Sequence, residues 1–338
     1  MIIVMDKGVS QKNLNHLVEV VEKAGLKAHI IKGTSKTIIG VIGNANKLDK
    51  DSINALDFVE KIMPIQKPYK RASREVHPDN TVVDVKGIKF GSDDLVMIAG
   101  PCSVESEDQM FEIANALKKM GVKVFRSSAY KPRTSPYAFQ GLGEKGLKII
   151  DKVRKETGLI VETEVMDPRN VEVAAKYVDI LRIGARNTQN FDLLKEVGKT
   201  NKPVILKNGI ATTVEEWLFA AEYIMNEGNN NVILCERGIR TFEPLTRNTL
   251  NLSVIPILKK LTHLPIIVDP CHAAGTRGPI PALSKAAIAV GADGLMVEVH
   301  NDPEHALSDQ SQQLKIKEFE TMYADLKKIG LAVGRKFV

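Results

Sequence analysis

Residues 95–109 read LVMIAGPCSVESEDQ. An apolar, β-branched run of strand length stops at Gly100 and Pro101. The acids that follow fall where a helix would begin, the end of the macrodipole that favours negative charge. The same cadence of short apolar run and helix-forming segment recurs at VKVFRS (122–127), LIVETE (159–164), DILRIG (179–184), PVILKNG (203–209), NVILCERG (231–238), PIIVDP (265–270) and DGLMVEV (293–299). A long helical tail follows the last. The mean spacing is about 28 residues, close to the ~30 of a βαβ unit. The span 91–338 matches the ~250 residues of a typical (β/α)8 barrel. A doubly wound sheet also holds eight strands, but no G-x-G-x-x-G follows the first run. The expected fold is therefore α/β, a (β/α)8 TIM barrel over residues 91–338.

Residues 1–64 form a separate pattern. IIVM reads as a strand. Leu14, Leu17, Val18 and Val21 recur at helical spacing, with Gly25 placed to end the helix. KAHIIKG and KTIIGVIG read as a hairpin joined around Thr34 and Ser35. A short helix with Ile53 and Leu56 and a last strand, VEKIMPI, complete the order βαββαβ of a ferredoxin-like domain. Residues 65–90 turn polar and proline-bearing, then offer a hairpin around Lys86-Gly87 that caps the barrel; a domain boundary is expected here.

Composition sets limits. The 338 residues are 43% hydrophobic and 26% charged, as in an ordinary globular protein, and no apolar run approaches the ~20 residues of a membrane span. Asp6 interrupts the amino-terminal apolar run, so no secretory leader is expected. Three cysteines are too few for a disulfide scaffold, which suits a reducing cytoplasm. The net charge of +6 permits anionic partners, but no zinc-finger spacing or aromatic RNA-binding signature accompanies it. Neither nucleic acid nor membrane is an expected partner.

In such a barrel the side chains at the carboxyl ends of the strands meet at one mouth. Here those positions carry Cys102, Arg126, Glu164, Arg186, Lys207, Arg237, His272 and Glu298. Cys102 follows strand 1, His272 follows strand 7, and Glu298 closes strand 8, so a closed ring makes them neighbours. Thiolate, imidazole and carboxylate suit a divalent transition metal, and Asp309 is placed to add a fourth ligand. Cys271 reads as a buried neighbour of His272, facing the opposite way along a strand. Arg126, Lys131, Arg133, Arg186, Lys207 and Arg237 would repel one another unless anions bound among them. Their number suggests more than one anionic group, and a metal beside them suggests Lewis-acid activation of a carbonyl near a phosphate ester. The loop RSSAYKPRTSPYAFQGLGEKG, with Lys131, Arg133, Thr134 and Ser135, is long for a segment that binds nothing.

GPCSVES, KPRTSPYAFQGLG, IGARNTQN, LKNG, CERGIRTF, DPCHAAGTR and EVHNDPEHALSD together resemble the 3-deoxy-D-arabino-heptulosonate 7-phosphate (DAHP) synthases, and most closely the beta subgroup of the type I enzymes. The resemblance covers the whole barrel, and it implies condensation of phosphoenolpyruvate with erythrose 4-phosphate and release of phosphate. It implies one divalent ion (Mn, Zn, Fe or Co) on Cys102, His272, Glu298 and Asp309. Arg186 and Arg237 would grip the phosphoenolpyruvate phosphate, with Ala185 beside them in the substrate site. Arg126, Lys131 and Lys207 would surround its carboxylate. Arg133, Thr134 and Ser135 would take the erythrose phosphate. Lys131, Glu164 and His272 are the candidate catalytic groups, the first two for steering water and protons.

The related octulosonate 8-phosphate synthases tend to read K-A-N-R where this chain has Lys131-Pro132-Arg133-Thr134. Proline stiffens the loop and offers no donor to a longer sugar, which favours the shorter aldose. A silent phosphate-binding regulator is disfavoured by the intact metal and anion sets. Residues 1–64 hold no catalytic set, since His16 and His29 stand alone. Relatives with such a front domain are inhibited by tyrosine or phenylalanine, so an aromatic amino acid effector and a homo-oligomer, a tetramer, are expected. A plain dimerisation module is the alternative.

Overall fold

The computed structural model describes residues 1–338 except 7, 34, 35, 44 and 64–67 and the side chain of residue 46. The described residues divide into two compact units, residues 1–80 with Lys260–His263, and Thr81–Lys259 with Leu264–Val338.

In the first unit, β1 (Ile2–Asp6), α1 (Gln11–Lys23), β2 (Lys27–Lys32), β3 (Lys36–Ile42), α2 (Lys50–Asn54) and β4 (Val59–Met63) follow one another. The sheet order is β2-β3-β1-β4 with every pair antiparallel, the split βαβ arrangement of a ferredoxin-like fold. Ser10 caps α1 by accepting from the Asn13 N–H at 3.1 Å, and Leu14, Leu17 and Val21 bury its apolar stripe. Val18 packs against the same cluster but stays half-buried. α2 stops at Asn54, so Leu56 lies beyond the helix, although it still packs on that cluster. Thr34 and Ser35, expected in the hairpin turn, and Pro64 and Ile65, expected to end the last strand, lie outside the described residues.

The second unit opens with a hairpin, β5 (Val83–Val85) and β6 (Ile88–Phe90). Lys86 and Gly87 both have positive φ (52° and 89°), as a two-residue primed turn requires, and Asp84 Oδ1 accepts the Gly87 N–H at 2.8 Å. Then come β7 (Val96–Gly100), α3 (Glu107–Lys119), β8 (Val124–Arg126), α4 (Glu144–Thr157), β9 (Ile160–Val165), α5 (Val171–Tyr177), β10 (Ile180–Ile183), α6 (Phe191–Gly198), β11 (Val204–Lys207), α7 (Val214–Asn226), β12 (Val232–Glu236), α8 (Val254–Leu261), β13 (Ile266–Val268), α9 (Pro270–Ala274), α10 (Ile280–Ala289), β14 (Gly294–His300), β15 (Leu314–Lys315) and α11 (Ile316–Ala332).

β7 to β13 pair in sequence order, all parallel, and β14 pairs with both β13 and β7. The eight expected strands therefore close into a barrel. Val96, Ile98, Val124, Ile160, Ile180, Ile205, Ile233, Ile267 and Met296 fill its amino-terminal half, and Val83, Val85 and Phe90 of the hairpin join the same cluster. β-branched residues dominate because both faces of a parallel strand are covered. Outside, Ser106 and the Thr213–Glu216 capping box start α3 and α7, whose buried faces pack towards the strands.

Ile205→Ala opens a cavity in this fully buried layer. It is expected to cost roughly 2–5 kcal/mol of stability by urea unfolding. A loss below about 1 kcal/mol would contradict a close-packed barrel interior.

Candidate active site

The carboxyl ends of the strands carry a layer of buried charge. Arg182, within β10, is 1% exposed and donates to Glu162 Oε2 (2.9 Å), Glu164 Oε2 (3.0 Å) and Ser128 Oγ (2.8 Å). Burial works to deprotonate this guanidinium, and the carboxylates of Glu162 and Glu164 outweigh it. Glu164 is held ionised in return: burial raises its carboxyl, but Arg182, Lys131 and Lys207 pull it below the usual range. Its Oε1 faces Gly184, where a Cβ would come within 2.0 Å, so only glycine fits.

Three strands further along the ring, after β13, Asp269 caps α9 by accepting the His272 N–H at 3.0 Å, with Pro270 in the first turn. Its Oδ2 lies 2.5 Å from Lys207 Nζ and 2.7 Å from His272 Nδ1. His272 thus turns Nε2 towards Glu298 Oε1 (3.6 Å) and Asp309 Oδ2 (3.7 Å). Asp309 Oδ2 is 3.2 Å from Cys102 Sγ. The ligand atoms of Cys102, Glu298 and Asp309 all lie within 4.8 Å of one another. All four expected metal-ligating side chains converge.

These groups suit a divalent ion on two further observations. Glu298 Oε1 is buried without a hydrogen-bond partner, although Arg126 lies 3.2 Å away and the other oxygen accepts from Gln312 Nε2 at 2.6 Å. Burial pushes the Cys102 thiol up to about 12, with Glu298 adding to the rise, so the thiolate needs a cation beside it. Lys131 Nζ at 2.9 Å from the sulfur supplies one positive charge.

A cavity of about 300 Å³ opens above this cluster, lined by Lys131, Arg133, Thr134, Ser135, Glu164, Arg182, Ala185, Arg186, Lys207, Arg237, Arg247, His272 and Asp309 among others. Arg126, Cys102 and Glu298 are fully buried and do not line it. Among the described residues, Arg133, Arg186 and Arg237 make no ion pair with a carboxylate. Among the described residues, the Arg237 guanidinium donates only to the carbonyls of Gly238 (3.3 Å) and His272 (3.2 Å), and its Nε has no partner. Arg186 reaches only the Thr134 hydroxyl, at 3.5 Å.

Cys271 lies in α9 rather than on a strand, because Asp269 and Pro270 start a helix immediately after β13. It is buried all the same, and its sulfur accepts the Glu298 N–H at 3.2 Å.

Sequence reasoning missed the residues that hold the set in place. Arg182 and Glu162 stand inside otherwise apolar runs, and that mismatch was the available signal. Asp269, three residues before His272 with proline between, carried a helix-cap signature. Glu236 gave none. Its Oε1 accepts from the N–H groups of Gly238 (2.8 Å) and Asn251 (2.9 Å), tying together both ends of the β12–α8 loop. Its Oε2 accepts from Asn208 Nδ2 (2.6 Å), and Asn208 Oδ1 accepts the Arg237 N–H (2.9 Å).

Burial raises Glu236 to about 7 against these bonds. Between the ordinary carboxyl value and about pH 7 the folded chain holds a proton that the unfolded chain has lost. This group's contribution to stability therefore falls as pH rises through that window and is level above it. Urea unfolding of wild type and Glu236→Gln from pH 4.5 to 8 is expected to give curves whose difference changes across the window. Parallel curves would refute the shift.

Known proteins resemble this chain over its whole length. Residues 75–333 match the DAHP synthetase I family, and residues 1–67 match the DAHP synthase ferredoxin-like domain. The chain is 49% identical over 336 residues to the phospho-2-dehydro-3-deoxyheptonate aldolase of Thermotoga maritima, covering 99% of both chains. It is 34% identical over 266 residues to a 2-dehydro-3-deoxyphosphooctonate aldolase of Bradyrhizobium, covering 72% of this chain and 91% of that one. The crystal structure of the Thermotoga maritima DAHP synthase superposes with a TM-score of 0.80 at 48% identity, over 100% of this chain and 99% of that one. A truncated form of that enzyme gives 0.74 at 48% identity over 79% of this chain and 98% of its own. The chain belongs to the DAHP synthetase I family, as a 3-deoxy-7-phosphoheptulonate synthase whose barrel follows a ferredoxin-like domain.

Proposed function

We propose that the cavity binds phosphoenolpyruvate and erythrose 4-phosphate together and that the condensation depends on one divalent ion. The observation that carries this is the trio of Arg133, Arg186 and Arg237 lining the cavity, each without a carboxylate partner among the described residues. Uncompensated guanidinium groups repel one another and cost stability, and phosphate oxygens relieve that cost. Arg186 and Arg237 take the phosphate of phosphoenolpyruvate, with Ala185 beside them. Lys131 and Lys207 meet its carboxylate, backed by the buried Arg126. Arg133, Thr134 and Ser135 take the phosphate of the aldose.

A divalent ion on Cys102, His272, Glu298 and Asp309 supplies Lewis-acid polarisation of the aldehyde. The residues do the rest by position. C3 of phosphoenolpyruvate forms a bond to the aldehyde carbon of erythrose 4-phosphate, and water adds at C2. The hemiketal phosphate then loses inorganic phosphate by C–O cleavage. Glu164, ionised and fixed by Arg182, accepts a hydrogen bond from the attacking water and draws its proton. Lys131, protonated through its acidic neighbours, gives a proton to the new alkoxide. Three free, buried cysteines suit a cytoplasmic location, and among the described residues no helix is long and apolar enough to cross a membrane.

Phosphate release from phosphoenolpyruvate, assayed with erythrose 4-phosphate and with arabinose 5-phosphate, separates this reading from that of the octulosonate relatives. Turnover is expected with the four-carbon sugar, abolition by exhaustive chelation, and recovery with Mn²⁺, Zn²⁺, Fe²⁺ or Co²⁺. Full activity of the chelated protein, or preference for the pentose, sinks the assignment.

The front domain is proposed to bind tyrosine or phenylalanine and to mediate feedback inhibition within a homotetramer. Its match to the DAHP synthase ferredoxin-like domain supports this. A chain beginning near Lys67 is expected to keep its activity and lose inhibition by either amino acid. Inhibition that survives the truncation, or none in the full chain, contradicts a regulatory role.

A further inference from the structure

The segment DQSQQLK (309–315), which starts at Asp309, contains two successive glutamines, Gln312 and Gln313, that the proposed chemistry does not use. Both are buried, at 1% and 0% exposure. Gln312 Nε2 donates to Glu298 Oε2 at 2.6 Å, while Gln312 Oε1 accepts from Arg247 NH1 at 2.9 Å. The same Arg247 nitrogen lies 3.3 Å from Asp309 Oδ1. Gln313 Oε1 accepts the Cys102 N–H at 2.9 Å, and its Nε2 donates to the Ser308 carbonyl at 2.8 Å.

Each carboxylate in the cluster therefore has one oxygen taken from behind and one left forward. Glu298 Oε1 is forward and unpartnered, and Asp309 Oδ2 is forward towards Cys102 and His272. The backbone at Asp309 confirms that it is held. Its φ is +49°, a left-handed conformation that a non-glycine residue keeps where its surroundings impose it.

Arg247 is itself fixed. Its N–H donates to the Ala274 carbonyl at 3.2 Å, and the neighbouring Asn248 N–H to that of Ala273 at 2.8 Å. A Cβ at Gly275 would come within 2.5 Å of Arg247 Cβ, so the glycine allows this approach. The loop that bears Arg247 is the one whose ends Glu236 ties together.

We propose that Arg247, from the β12–α8 loop, and Gln312, from the β14–β15 loop, are positioning residues, a clamp that selects which oxygen of Glu298 and of Asp309 faces a bound divalent ion. The proposal rests on the metal-dependent reading above. Fixing two carboxylates in advance lowers the ordering cost of binding, and outer partners of this kind typically carry 10–100-fold in metal affinity. It also joins the ion site to the loop that bears Arg237.

The test uses the full chain, stripped of metal, as wild type, Arg247→Ala, Arg247→Lys, Gln312→Ala and Gln312→Glu. Mn²⁺ affinity is measured by competition with a chelating dye, and Co²⁺ is added to record the thiolate charge-transfer and ligand-field bands. Wild type is expected to bind one ion. Arg247→Ala and both Gln312 variants are expected to bind Mn²⁺ ten- to a hundredfold more weakly. Their thiolate band should persist while the ligand-field bands shift, in variants that far-UV circular dichroism shows to be folded without metal. Arg247→Lys, which keeps one donor, should recover part of the affinity. Wild-type affinity and spectra in folded Arg247→Ala and in either folded Gln312 variant overturn the clamp. Absence of stoichiometric binding to wild type overturns the metal reading instead.

Discussion

Closure of the parallel sheet is the constraint on which the site depends. β14 pairs with β13 on one side and β7 on the other, so Cys102, His272 and Glu298, separated by up to two hundred residues, share one arc of the rim. An open sheet with the same strands would leave Glu298 and Cys102 on opposite edges. Closure also excludes water, which makes the second layer of charge obligatory. Glu162, Glu164 and Asp269 are buried, with Arg182 set against the first two and Lys207 against the third. Removing one partner would strand a buried charge, a loss of ~3–5 kcal/mol. The fold and the site are thus stabilised by the same few ion pairs.

Charge is not balanced throughout the site. The buried Arg126, Arg182 and Lys207 each pair with a carboxylate. Arg133, Arg186 and Arg237, which line the cavity, have no carboxylate partner among the described residues. A protein selected for stability alone would pair them or replace them, and a folded chain that tolerates them trades stability for affinity towards anions. That imbalance is what supports the proposal of phosphorylated ligands.

Much of this was legible in the sequence because periodicity and position in a repeat are local properties. The eight apolar runs located the strands, and the residue after each run located the rim, so Cys102, Arg186, His272 and their neighbours could be named from spacing. What could not be read were partners whose contacts skip between repeats. Gln312 touches Glu298 and Arg247 from a loop with no regular pattern, and Glu236 looks in sequence like the polar end of any strand. Asp269 was half-visible, since its cap signature predicts a helix start but not that its second oxygen serves Lys207 and His272. Cys271 shows the limit of alternation: its burial was expected on a strand, yet a proline and a capping aspartate had already begun a helix.

The most direct test of the central claim, that the cavity's unpaired guanidinium groups exist for phosphoenolpyruvate, is the unfolding midpoint of wild type and Arg186→Ala with and without that ligand. Wild type is expected to gain stability in a saturable way, by up to about 4 kcal/mol at a thousandfold excess over Kd. Free Arg186→Ala should be at least as stable as free wild type, because an exposed, unpaired cation is lost, and its gain with ligand should be largely abolished. An Arg186→Ala chain that is less stable when free and still gains fully from phosphoenolpyruvate would contradict the account.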